Sequence, residues 1–138
     1  MLNLIAAFAL GLQSVGWTWT LYDTAPTIVL ANELPDTPDL RTTLECEAGA
    51  GVVKISVFNA SLPEGMATVS SGGQTAASAL TAGRDHSSSV MVPADYPVFA
   101  SFLASGRLGL RVADQSASVE MGSSDLAKLR RFADLCGG

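Results

Sequence analysis

His86 is the only histidine of the chain and stands between Asp85 and the run Ser87-Ser88-Ser89, the residue types of a hydrolytic relay. The spacing argues against that chemistry. Neighbours in an extended segment project to opposite sides, and a Ser-His-Asp relay is assembled from distant parts of a fold. No Gly-x-Ser-x-Gly elbow is present to expose a serine. An exposed loop histidine is the simpler expectation. Asp-Thr occurs twice, at Asp23-Thr24 and Asp36-Thr37, but Ala25 and Pro38 follow where an aspartic protease places glycine. Both pairs therefore read as turns. Lys128 lies one residue too far from Ser124 for a Ser-x-x-Lys pair, so helix capping suits Ser124 better. Glu33, Asp36, Asp39, Glu45 and Glu47 could offer oxygen ligands, but without EF-hand spacing they read as solvated acids. One histidine and two cysteines make a zinc site improbable, and no glycine loop cradles phosphate. The expectation is no catalytic residue, no metal and no cofactor.

Recognition and covalent cross-linking remain. Trp17, Trp19 and Tyr22 are the candidate interaction residues, because aromatic side chains anchor interfaces when exposed. Their strand spacing beside apolar neighbours favours core packing for the tryptophans and leaves Tyr22 on the opposite face. Phe99 and Phe102 read as core for the same reason. The only cysteines, Cys46 and Cys136, allow one disulfide. Such a bond persists only in an oxidising compartment. The alternative is a pair of buried free thiols in a cytosolic protein.

The elements that must position these residues follow from periodicity. WTWTLYD alternates Trp17, Trp19 and Leu21 with threonine and Tyr22, so it predicts a strand that ends before Pro26. TIVLANEL follows as a second strand and PDTPD as a turn. LRTTLEC and VVKISVF flank Gly49-Ala50-Gly51 and form the clearest hairpin of the chain. MATVS, SSSVMV, RLGLRV and ASVEM read as further strands, with a turn at Gly72-Gly73. QTAASALTA fits strand or helix equally. A helix is expected from Asp95, with Pro97 in its first turn, Val98, Phe99, Phe102 and Leu103 buried, and Gly106 at its end. A terminal helix is expected over Ser123 to Cys136. Ser123 or Ser124 would cap it, its apolar stripe is Leu126, Leu129, Phe132, Ala133 and Cys136, and Gly137 would form a left-handed stop. The fold class is mainly β with two short helices (α+β). The expected form is a curved antiparallel sheet or β-sandwich whose C-terminal helix is tied to a central strand by Cys46–Cys136.

At 138 residues the chain fits one domain, expected over residues 17–138. MLNLIAAFALGLQSVG is uncharged and apolar from Leu2 to Leu12, with small residues at Ser14 and Gly16. That is the pattern of a secretory signal over residues 1–16, cut before Trp17. A buried first element of the fold is the competing reading. The net charge of −5 lies wholly in the front part: seven acids up to Glu64 oppose only Arg41 and Lys54. The remainder carries six charges of each sign. An acidic front half disfavours a nucleic-acid partner. Lys128, Arg130 and Arg131 read as the solvated face of the last helix.

Several of these features occur together in a known group. An early aromatic strand, Pro38-Asp39-Leu40 leading to Cys46, and Ser-x-x-Leu-x-x-Leu-x-x-Phe-x-x-x-Cys from Ser123 to Cys136 give the likeness. The chain weakly resembles small proteobacterial periplasmic proteins of the TagO/VasI kind, accessory to type VI secretion. More loosely, it is similar to the invasion-associated locus B family. The resemblance implies an exported, disulfide-linked, non-catalytic module. The leading expectation is a periplasmic or secreted protein that binds another envelope or assembly protein and meets membrane only through an uncleaved N-terminus. The alternatives are a small-ligand-binding or hydrolase-inhibiting module with a concave face near Tyr22, and a structural component of a larger particle.

Overall fold

The computed structural model describes residues 16–137. The expected signal segment lies outside them except for Gly16. Nine strands run in chain order: β1 (Thr18–Tyr22), β2 (Thr27–Glu33), β3 (Leu40–Glu47), β4 (Val52–Phe58), β5 (Gly65–Ser71), β6 (Gln74–Ala82), β7 (Ser87–Pro93), β8 (Arg107–Val112) and β9 (Gln115–Glu120). Helix α1 (Pro97–Ser105) separates β7 from β8, and α2 (Leu126–Gly137) follows a 3-10 turn at Ser123–Asp125. The strands form one curled, wholly antiparallel sheet in the order β1-β2-β3-β4-β7-β6-β5-β8-β9.

The curl has a local cause at β6. Its first seven residues pair with β5, whereas Thr81 and Ala82 pair with Ser89 and Ser88 of β7. Where β6 and β7 part, the Ser78 hydroxyl replaces the missing ladder. It donates to the Met91 carbonyl at 2.9 Å and accepts the Met91 amide at 3.3 Å. The Glu64 carboxylate accepts the Ala82 amide at 3.0 Å. Backbone groups left unpaired at a bend are costly, and these side chains satisfy them.

Period-two alternation buries one face of each half. Ile28, Leu30, Leu44, Cys46, Val53 and Ile55 on one side join Ala67, Val69, Leu108, Leu110 and Val119 on the other. Phe99 and Phe102 from α1, and Leu129 and Phe132 from α2, complete the same apolar cluster. The sheet thus wraps its concave face around both helices. Full burial of each such side chain contributes on the order of 1.5–3 kcal/mol.

The expected strands are present, and QTAASALTA is a strand; the helix expected from Asp95 begins at Pro97, with Val98, Phe99 and Phe102 buried and Leu103 only partly so. The terminal helix ends differently from the expectation. Neither serine caps it: Gly122 precedes the 3-10 turn with no side-chain cap, and Asp125 instead pairs with Lys128 at 3.2 Å. Gly137 is helical and forms no left-handed stop. Two amides of the β3–β4 turn take over that role. Gly49 N–H donates to the Leu135 carbonyl at 3.0 Å, and Gly51 N–H to Cys136 at 2.8 Å. Helix ends leave carbonyls free, and a distant turn can satisfy them as well as a local glycine. The Cys46–Cys136 disulfide lies beside these bonds and spans a sequence separation of 90.

Gly106 stops α1 as expected, in the left-handed conformation (φ 73°), with its amide bonded to Phe102 at 2.7 Å. A Cβ there would meet the Met121 carbonyl oxygen at 2.8 Å. Gly106→Ala should therefore cost at least about 2 kcal/mol, from left-handed strain and the backbone clash together. Gly122 has φ −73° and open space around its Cβ position. Gly122→Ala should stay within about 0.5 kcal/mol of the parent. Urea unfolding of both variants checks the contrast.

Candidate functional site

The three aromatic candidates are not brought together. Trp19 alternates inward on β1 and is only 7% exposed, part of the core. Trp17 is half-buried at the strand's start, and the Arg41 guanidinium lies 4.3 Å above its ring centroid. A cation held over an indole in this way contributes about 0.5–1 kcal/mol at a surface site. Tyr22 is 48% exposed on the outer face. Its hydroxyl donates to both Glu33 carboxylate oxygens, at 2.7 and 2.8 Å.

The concave polar surface lies away from Tyr22. It is a cleft of about 410 Å³ lined by Asn32, Arg41 and Thr42 from β2 and β3, and by Ala117, Ser118 and Glu120 from β9. Asn32 Oδ1 is buried there with no hydrogen-bond partner among the described residues. Leaving a buried acceptor unmatched costs about 1–3 kcal/mol. Sequence reasoning did not single out Asn32 or Arg41. The only visible signal was a polar residue continuing the inward-facing series Ile28, Leu30.

His86 lines a larger, open cleft of about 720 Å³ with Asn59, Ser61, Gly83 and Asp85. Four of these non-glycine residues have left-handed backbones: Asn59 (φ 60°), Ser61 (55°), Asp85 (58°) and His86 (60°). The two loops are tied by the Asn59 amide donating to the His86 carbonyl at 3.0 Å. Ser87 and Ser89 are committed elsewhere. The Ser87 hydroxyl donates to the Arg84 carbonyl at 2.7 Å, and Ser89 bonds Ser56 at 2.7 Å. The backbone here forms a tight turn and does not aim a nucleophile at the imidazole.

Asp23 forms an exposed ion pair with Arg131 at 3.6 Å, and the Thr37 hydroxyl closes its turn onto the Leu34 carbonyl at 2.7 Å. Glu33 serves Tyr22, and Glu47 accepts from Thr27 at 2.7 Å. No group of three or more metal-ligating side chains occurs among the described residues. Lys128 is more than a solvated charge, since its ammonium donates to the Trp19 carbonyl at 2.7 Å. No helix among the described residues is long and apolar enough to cross a membrane. The chain matches no protein-family model, no curated protein and no solved structure.

The Tyr22 phenol is raised above its usual 10.0, first by its hydrogen bond to Glu33, then by desolvation and the carboxylate's charge. The folded state thus favours the neutral phenol. The linked stabilisation is complete below the ordinary value and fades as pH rises through the raised one. In an alkaline absorbance titration, the difference between the parent and Tyr22→Phe should isolate a phenolate that forms above the normal range. A difference curve at or below the ordinary tyrosine value would contradict the bond.

Proposed function

We propose that the protein is an exported module of the bacterial cell envelope, periplasmic or secreted, that acts by binding another protein and performs no chemistry itself. The observation that carries this reading is the Cys46–Cys136 disulfide, which uses both cysteines of the chain. A bond of this kind endures where thiols are not kept reduced. The signal-like composition of Leu2 to Leu12 supports the same compartment. The separation of His86, the Asp-Thr turns and Ser124 supports binding over catalysis, because each is used in a turn or loop. The likeness to type VI accessory proteins agrees with such a role.

A second reading, a small-ligand module, draws support from the Asn32 cleft. The unmatched Asn32 oxygen, the Arg41 cation and the Glu120 carboxylate line one opening. Such a site suits a compact polar molecule offering a donor to Asn32.

The test is expression from the native start in a Gram-negative host, followed by fractionation, N-terminal sequencing and thiol counting by alkylation in denaturant. The expected result is protein outside the cytoplasm, beginning at Trp17, with no alkylatable thiol. Cytoplasmic protein retaining Met1 and two free thiols would overturn the reading.

A further inference from the structure

The curl of the sheet sets β9 across from β2, β3 and β4, and the cleft of about 410 Å³ between them carries one cation and one anion. Arg41 stands on the β3 side and Glu120 on the β9 side. Both residues are exposed, and neither belongs to an ion pair among the described residues, although Arg107 is the ladder neighbour of Glu120. Each charge is therefore left to solvent.

A bulge puts Arg41 in the cleft. Asn32 pairs with Thr42 and Glu33 with Leu40, which leaves Arg41 as an extra residue on β3. On a regular strand it would point away from the face that carries Thr42 and Leu44. A bulge re-aims a side chain, and Arg41 lines the cleft beside Thr42. Its guanidinium is held 4.3 Å above the Trp17 ring. A guanidinium held by an aromatic ring still offers its N–H groups to a carboxylate. Asn32 is the third polar group of the site. Its Oδ1 is buried in the wall and unmatched. A ligand donor that draws the carboxamide round restores a bond the folded protein lacks. Val57, Phe58, Ala60 and Ala117 supply an apolar part of the lining.

We infer that the cleft binds a small zwitterion of the amino-acid class, with its carboxylate on Arg41, its ammonium on Glu120 and an N–H group on Asn32. This deepens the small-ligand reading of the cleft and rests on it. The two charges set the choice. A plain anion meets Glu120 and a plain cation meets Arg41, each a like charge in the same opening, whereas a zwitterion matches both. A neutral polyol leaves both without a counter-charge. A small apolar side chain suits the Val57 and Ala117 lining. A free amino acid and a short peptide share this chemistry.

The oxidised full chain is titrated with L-alanine and with L-alanyl-L-alanine while the Asn32 side-chain amide and the Thr42 and Ser118 backbone amides are followed by NMR. The shifts should saturate, and the tighter ligand names the source. Acetylating its amine and amidating its carboxylate should each weaken binding about tenfold or more, the scale of one charge-assisted hydrogen bond. Arg41→Gln should abolish the penalty of amidation and keep that of acetylation. Glu120→Gln should do the reverse. A folding defect would not give this crossed pattern. Equal affinity for blocked and unblocked ligands overturns the inference, as does saturation by neither zwitterion. D-Glucose then separates the two readings. Shifts of the same amides by glucose keep the small-ligand reading and remove the zwitterion, whereas no shift from any probe removes both.

Discussion

The attachment of α2 to the β3–β4 turn governs the rest of the molecule. At 12 residues α2 is too short to be stable by propensity alone and needs its apolar stripe buried. The stripe meets β2 while the helix end is held by Cys46–Cys136 and by the Gly49 and Gly51 amides. Gly49 and Gly51 reach left-handed backbones (φ 76° and 77°), which is how one tight turn can present both amides to a helix terminus. The disulfide acts mainly on the unfolded chain by closing a long loop, while the hydrogen bonds fix the orientation of the folded one. Together they set which side of the sheet becomes concave, and so where Phe99, Phe102 and Phe132 can be enclosed.

That attachment also brings α2 onto β1. With α2 fixed, the Lys128 ammonium reaches the Trp19 carbonyl of β1 and Arg131 pairs with Asp23 just beyond that strand. The curl of the sheet also brings β9 across from the Asn32–Arg41 corner, and the polar cleft lies between them.

Strands whose inward positions are large and apolar were legible from alternation alone, as in LRTTLEC and VVKISVF. QTAASALTA was ambiguous because only Leu80 of its inward residues is large, while Ala76 and Ser78 are too small to give a hydrophobic period. Ser78 acts through its hydroxyl at the point where two strands separate, which no local pattern announces. The cysteine link was readable because α2 and β3 each present a cysteine on their apolar face. The end of α2 was not, since its cap comes from residues far away in the chain. The aromatic candidates were half legible. Strand parity correctly separated Trp19 from Tyr22, but stacking of Arg41 on Trp17 depends on how β1 and β3 lie across β2. Asn32 was missed because an unmatched oxygen appears only once the surrounding walls are in place.

The most direct measurement of this account is the unfolding free energy of the oxidised protein against a Cys46→Ala/Cys136→Ala double variant, taken from urea titrations under the same conditions. Loss of a link across a separation of 90 residues should lower stability by about 4–5 kcal/mol, with α2 losing amide protection before β5, β8 and β9. Equal stability in the two proteins, with α2 equally protected, would contradict the claim that this attachment holds the fold together.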